Sequence, residues 1–155
     1  VLLYQKIFYH NMVCNIINNF DDQYHYNTEV IENIILKISE SEKKMVESIN
    51  FIFSDDNHLN DLKIKYFNKD QYTDVIAFNL EQENHLIDGE IYISMDRVIE
   101  NAARFSCSIN DELKRIMIHG LLHLMGYQDK HKHDKEKMTE LENQYIKIDS
   151  RSVIN

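Results

Sequence analysis

Residues 109–126 read INDELKRIMIHGLLHLMG, followed by Tyr127, Gln128 and Asp129. Leu113, Ile116, Met117, Gly120, Leu121 and Leu124 recur at helical spacing. Ser108 with Asp111 supplies an N-terminal cap and Gly126 a stop, so a helix is predicted over Ile109 to Met125. This apolar helix is expected to be central and largely buried. Its two histidines, His119 and His123, stand four residues apart and share one face. Glycine inside a helix costs roughly 1 kcal/mol against alanine. Two of the chain's three glycines nevertheless lie at 120 and 126, and a close approach of a substrate or another helix would offset the cost at Gly120.

Outward from this helix the pattern mixes strands and helices. On the N-terminal side, Val30, Ile31, Ile34, Ile35 and Ile38 predict an amphipathic helix over Asn27 to Ser41. The run INFIFS (Ile49 to Ser54) reads as a strand ended by Asp55 and Asp56, and a short helix follows through Leu59, Leu62 and Tyr66. TDVIAF (Thr73 to Phe78) and GEIYIS (Gly89 to Ser94) read as two more strands separated by a polar loop. From Asp96, Val98, Ile99, Ala102 and Phe105 share a helical face, and a charged last helix around Asp134 to Tyr145 is expected on the outside. The expected fold class is α+β: a single domain with a small mixed β-sheet of about four strands packed against helices.

The chain of 155 residues has 43% apolar and 28% charged residues, within the range of soluble globular proteins. One ordinary domain over residues 1–155 is expected, burying roughly two-thirds of its unfolded surface. There is no internal repeat or linker-like tract, and no apolar run approaches the ~18 residues of a membrane span. The opening VLLYQKIFYH lacks the layout of a signal peptide, and Cys14 and Cys107 form no spaced pair. A cytoplasmic location is therefore expected. The net charge of −9 argues against a general nucleic-acid coat protein and leaves room for a local basic groove.

Two imidazoles one helical turn apart can reach one zinc ion at about 2.0–2.1 Å. A catalytic zinc takes a third protein ligand and keeps one position open. With the helix stopped at Gly126, Asp129 is at the right distance to fold back, and His131 and His133 are also within reach by spacing. Unpaired imidazoles in the most apolar helix would be costly, which favours a metal over an accidental pair. Zinc protease helices carry His-Glu-x-x-His with the glutamate as general base, and here that position is Gly120. A metal that polarises a phosphoryl oxygen needs no such carboxylate, which points to a substrate other than peptide.

HGLLHLMGYQD (His119 to Asp129) closely resembles the signature of the YbeY family of rRNA maturation endoribonucleases, usually His-Gly-x-Leu-His-Leu-x-Gly-Tyr-Asp-His. TDVIAF is similar to the family's Thr-Asp-Val-Leu-Ser-Phe strand and GEIYIS to its Gly-Asp-Ile-x-Ile-Ser strand, and the resemblance covers about residues 45 to 145. It implies a zinc-dependent, single-strand-specific endoribonuclease of the cytoplasm. Such proteins act on the 3′ end of small-subunit rRNA and in ribosome quality control, with ribosomal proteins as possible partners and neither membrane nor DNA involved. Carried over by position, His119 and His123 are metal ligands, and Asp129 occupies the place of the family's third histidine. His119, Thr73 and Asp74 are then the residues expected near the chemistry. The family's Tyr-Arg pair before the Thr-Asp strand becomes Tyr66-Phe67, so its phosphate-holding arginine is missing. Lys65 and Lys69 flank that gap, and Lys130, Lys132, Lys135 and Lys137 follow the histidine motif. Either set is a candidate RNA contact, set against the commoner role of a solvated face.

Tyr66, Phe67 and Tyr127 are expected in the core rather than against bases. Glu112, on a similar face to His119, is expected to serve the helix N-terminus. Two other functions compete with RNA cleavage. One is a metallopeptidase, weakened by Gly120. The other is a ribosome-associated binding factor with a structural metal, which would require a fourth ligand such as His131 or His133.

Overall fold

Strand pairing accounts for the architecture. A computed structural model describes residues 12–80 and 86–155. VLLYQKIFYH, and residues 81–85 of the polar loop, lie outside them. The described elements run β1 (Val13–Asn18), α1 (Thr28–Glu42), β2 (Met45–Ser54), α2 (Asp56–Phe67), β3 (Val75–Asn79), β4 (Leu86–Ser94), α3 (Met95–Arg104), α4 (Ile109–Leu124) and α5 (Lys132–Tyr145). The sheet order is β1-β2-β4-β3, with β1–β2 and β2–β4 parallel and β3–β4 antiparallel. The α+β class with a four-stranded mixed sheet is as the sequence leads one to expect. No helix among the described residues is long and apolar enough to cross a membrane.

Two elements differ from the sequence reading. β1 was not expected. It is an edge strand whose Val13 and Ile17 face solvent while Cys14 and Ile16 pack on the core, so its apolar alternation marks neither face. β2 begins at Met45 rather than Ile49, because its first residues are half-exposed and only Phe51 to Ser54 are buried without interruption.

Register separates the two faces of the sheet. Phe51 pairs with Ile91 and Phe53 with Ile93, and these residues share a core with the buried isoleucines of α1 and the apolar stripe of α4. Ile76 and Tyr92, paired across β3 and β4, point the other way, with Phe78 at the edge of Tyr92. α2 packs on β3 and β4 at this second face but leaves Tyr66 and Phe67 exposed, contrary to the core role expected of them. Phe105 also departs from the expected buried face. α3 ends at Arg104, and Ser106 takes a left-handed φ of 54°, which turns the ring outward.

The helix ends follow sequence chemistry. Asn27 Oδ1 accepts the Val30 N–H at 3.3 Å, and Ser108 Oγ accepts that of Asp111 at 3.0 Å. α4 lies so close to the sheet that a Cβ at Gly120 would stand 2.8 Å from Ile91 Cγ2 and 3.3 Å from Val75 Cγ2. The close approach anticipated at Gly120 is thus made by the sheet. Ile91 is β-branched and fully buried, so it has little room to give. Gly120→Ala should therefore lower stability by about 1–3 kcal/mol through overpacking, despite the better helix propensity of alanine. A urea midpoint equal to or above the parent's would refute this.

The C-terminal segment is clamped by charge. Asp149 accepts from Asn33 Nδ2 at 2.8 Å and from Arg151 Nη2 at 2.7 Å, while Lys114 Nζ donates to the carbonyls of Asp149 and Arg151 at 2.7 and 2.9 Å. Hydrogen bonds from Arg151 hold the Asp149 carboxyl well below the usual carboxylate range, burial opposing them. A depressed folded pKa contributes stability above the unfolded value of about 3.9, and that stability is lost as pH falls toward the folded value. Asp149→Asn should cost about 1–3 kcal/mol at neutral pH. Urea unfolding from pH 7 down to pH 3 should show that deficit narrowing below about pH 4.

Candidate metal centre

One helical turn of α4 brings His119 Nε2 and His123 Nε2 to 2.9 Å from each other. Beyond α4 the chain reverses at Gly126, whose φ of 101° suits glycine, and the Tyr127 N–H donates to the Leu122 carbonyl at 3.0 Å. That turn returns Asp129 Oδ2 to 3.3 Å from His119 Nε2 and 3.5 Å from His123 Nε2. These three residues form the group with metal-ligating geometry among the described residues. His131 and His133 are exposed and stand outside it.

The outer nitrogens of the two rings define their tautomers. His123 Nδ1 lies 2.9 Å from the Tyr127 carbonyl, which can only accept, so Nδ1 carries the proton. His119 Nδ1 faces Glu142 Oε1 at 3.4 Å and carries a proton toward it. In the neutral rings both Nε2 atoms are then lone pairs, and they converge with a carboxylate oxygen. Three acceptors turned on one point repel one another unless a cation lies among them. Two donors bound to zinc at tetrahedral angles are about 3.3–3.4 Å apart. The observed separations of 2.9 to 3.5 Å bracket that value, so the donor set fits such an ion. The His119 pKa reflects the same acidity around it. Burial pushes it down, but the hydrogen bond and charge of Glu142, then Asp74 and Asp129, leave it raised overall.

Glu142, on α5, is the partner that sequence could not identify. It is 6% exposed, with Arg115 Nη1 3.7 Å away. Arg115 Nη2 in turn donates to both oxygens of Glu112, at 2.6 and 2.5 Å. Glu112 is 1% exposed and lies in the first turn of α4, where a carboxylate is expected, and there it is also the partner of Arg115. The signal for Glu142 was a buried position, with Met138, Leu141 and Tyr145, on a helix otherwise read as a solvated surface.

Asp74, just before β3, joins Arg115, His119, Asp129, Lys135 and Glu142 around an open cleft of about 280 Å³. Thr73 is not among the residues lining it and turns its hydroxyl to the Val75 carbonyl at 3.4 Å. The lysines do not gather there as a group. Lys65 Nζ lies 5.1 Å over the Tyr66 ring, Lys69 is exposed beyond α2, Lys130 is exposed beside Asp129, and Lys132 pairs with Glu136 at 3.8 Å. Phe67, where an arginine was looked for, stacks on Phe78. The cations of the cleft are Arg115 and Lys135.

Fold and cluster together define an α+β protein with a candidate metal centre on its central helix. A family model described as endoribonuclease YbeY matches residues 15–148. The chain is 39% identical to the endoribonuclease YbeY of Karelsulcia muelleri over 82% of its own length and 90% of that protein. Identity to the endoribonuclease YbeY of Christiangramia forsetii is 43%, over 75% and 80%. A solution structure from Thermotoga maritima is similar with a TM-score of 0.57, at 28% identity over 87% of each chain. The chain belongs to the endoribonuclease YbeY family.

Glu142→Gln should weaken metal binding by about 10- to 100-fold, the usual cost of losing a carboxylate behind a ligand histidine. Competition against a chelating dye measures this, and unchanged affinity would separate Glu142 from the centre.

Proposed function

We propose that this chain is a zinc-dependent endoribonuclease that cuts single-stranded RNA, with small-subunit ribosomal RNA as its substrate. The whole chain, residues 1–155, is read as one such domain, working in the cytoplasm on precursor rRNA 3′ ends and in ribosome quality control beside ribosomal proteins. The observation that carries the reading is the convergence of three lone-pair donors at the edge of an open cleft, in a chain of this family.

In this reading His119, His123 and Asp129 hold the zinc, which when bound supplies Lewis-acid polarisation of a phosphoryl oxygen. The Tyr127 carbonyl and Glu142 fix the two imidazoles, so that the ligand geometry is set before substrate arrives. Asp74 is the cleft carboxylate outside the ligand set and the ring clamp, and it takes the proton that the attacking hydroxyl gives up. Thr73 sets the entry into β3 and thereby the place of Asp74. Arg115 and Lys135 supply positive charge for the phosphate in place of the arginine that Phe67 replaces. Lys65, Lys69, Lys130 and Lys132 serve as outlying contacts to the RNA backbone.

A peptidase reading is weakened by position 120. Any side chain there would start against Ile91 and Val75, on the sheet side of the helix. A structural metal is disfavoured by the lack of a fourth donor from His131 or His133.

Labelled single-stranded RNA incubated with the purified chain, with metal stripped and zinc restored, tests the proposal. Cleavage should need zinc and fall roughly 1,000-fold in His123→Ala, matching the loss of several kcal/mol of charge stabilisation. Equal cutting by both proteins would sink it.

A further inference from the structure

Next to the metal cleft lies a second open cleft, of about 310 Å³, lined by Phe105, Cys107, Glu112 and Arg115. Arg115 lines both, so the two clefts meet at its side chain. Phe105 is 57% exposed. Two guanidinium groups stand beside its ring, that of Arg104 at 5.9 Å from the centroid and that of Arg115 at 5.8 Å. The left-handed turn at Ser106 holds this ring outward, where it lines the second cleft beside Arg115. Arg115 is anchored by the buried Glu112, whereas exposed Arg104 makes no salt bridge to any described residue. In a chain of net charge −9, a half-exposed ring beside a cation that pairs with no carboxylate among the described residues has a definite chemistry.

A flat apolar face edged by guanidinium groups matches an unpaired nucleobase and its flanking phosphates. The base stacks on the ring, and the cations meet the backbone. We propose that Phe105, Arg104 and Arg115 form a subsite for one unpaired nucleotide of RNA whose neighbouring phosphodiester lies in the metal cleft. The identity of the ligand rests on the ribonuclease reading above. The subsite also gives a reason for acting on single strands. A base in a duplex is held in its own stack and cannot lie on Phe105, whereas a single-stranded base can be splayed onto it.

The chain has no tryptophan, so Phe105→Trp places a lone indole at the subsite while keeping an aromatic face. The zinc-loaded variant is titrated with single-stranded oligouridylate and, separately, with an RNA hairpin of blunt stem and minimal loop. Ile17→Trp, on the β1 edge of the sheet, serves as the control. Saturable quenching by the single strand alone, absent from the control, is expected. Phe105→Ala should raise KM roughly fivefold or more, as loss of one base stack does, with a much smaller change in kcat. Arg104→Ala should flatten the salt dependence of binding by about one phosphate contact. Cleavage by the Phe105→Trp protein with no quenching would overturn the subsite and leave the ribonuclease reading standing. Quenching without cleavage by the parent chain would support the subsite and remove the ribonuclease reading. Neither signal would remove both.

Discussion

Position 120 has no room for even a methyl group, because α4 presses on the side chains of Val75 and Ile91. That contact fixes the roll of the helix about its axis. With Gly120 toward the sheet, His119 and His123 are carried to the side that opens on the cleft. The same roll buries Lys114, whose ammonium group binds the C-terminal segment, and Glu112, whose carboxylate holds Arg115. The neighbours of the metal centre thus take their places from a steric condition between one glycine and two branched side chains.

Charge organises what the contact has positioned. Glu112, Arg115 and Glu142 alternate in sign from the helix interior to the His119 ring. Two nearly buried carboxylates would be prohibitive without compensation, and Arg115 with the protonated face of His119 supplies it. The Tyr127 carbonyl performs the corresponding task for His123 with no charge at all. One ring is therefore tied to the loop that follows α4 and the other to α5, and both Nε2 atoms meet from different supports.

Legibility in the sequence followed the range of the interactions. His119, His123 and the turn at Gly126 were readable because four-residue spacing and a positive φ are local properties. Asp129 was readable as one of three candidates, since loop distance alone does not separate it from His131 and His133. Glu142 was not readable, because its pairing with His119 depends on how α5 docks. Phe105 was misplaced for a related reason: helical periodicity carries it onto the buried face, and only the left-handed turn at Ser106 ends that periodicity early. β1 was missed because this edge strand carries apolar residues on its solvent face as well as its half-buried one, which leaves no marked pattern. Tyr66 and Phe67 look like core in composition and lie outside because α2 overhangs the sheet.

The three convergent donors and Glu142 all fall within residues 119–142, one α-helical hairpin with its connecting loop. Closing so short a loop costs little chain entropy, whereas pairing β1 with β2 and β2 with β4 joins segments far apart in sequence. Assembly of the ligand set and assembly of the sheet are thus governed by different lengths of chain. Sequence change in the first half of the molecule therefore reaches the donor atoms through the few positions that touch this hairpin, Val75 beneath Gly120 among them, and elsewhere alters chiefly how firmly the protein stands. Asp74, reaching the cleft from the start of β3, and Tyr127, whose hydroxyl donates to Glu42 Oε2 of α1 at 2.7 Å, tie the local centre to the long-range fold, as does the seat of Gly120 on the sheet.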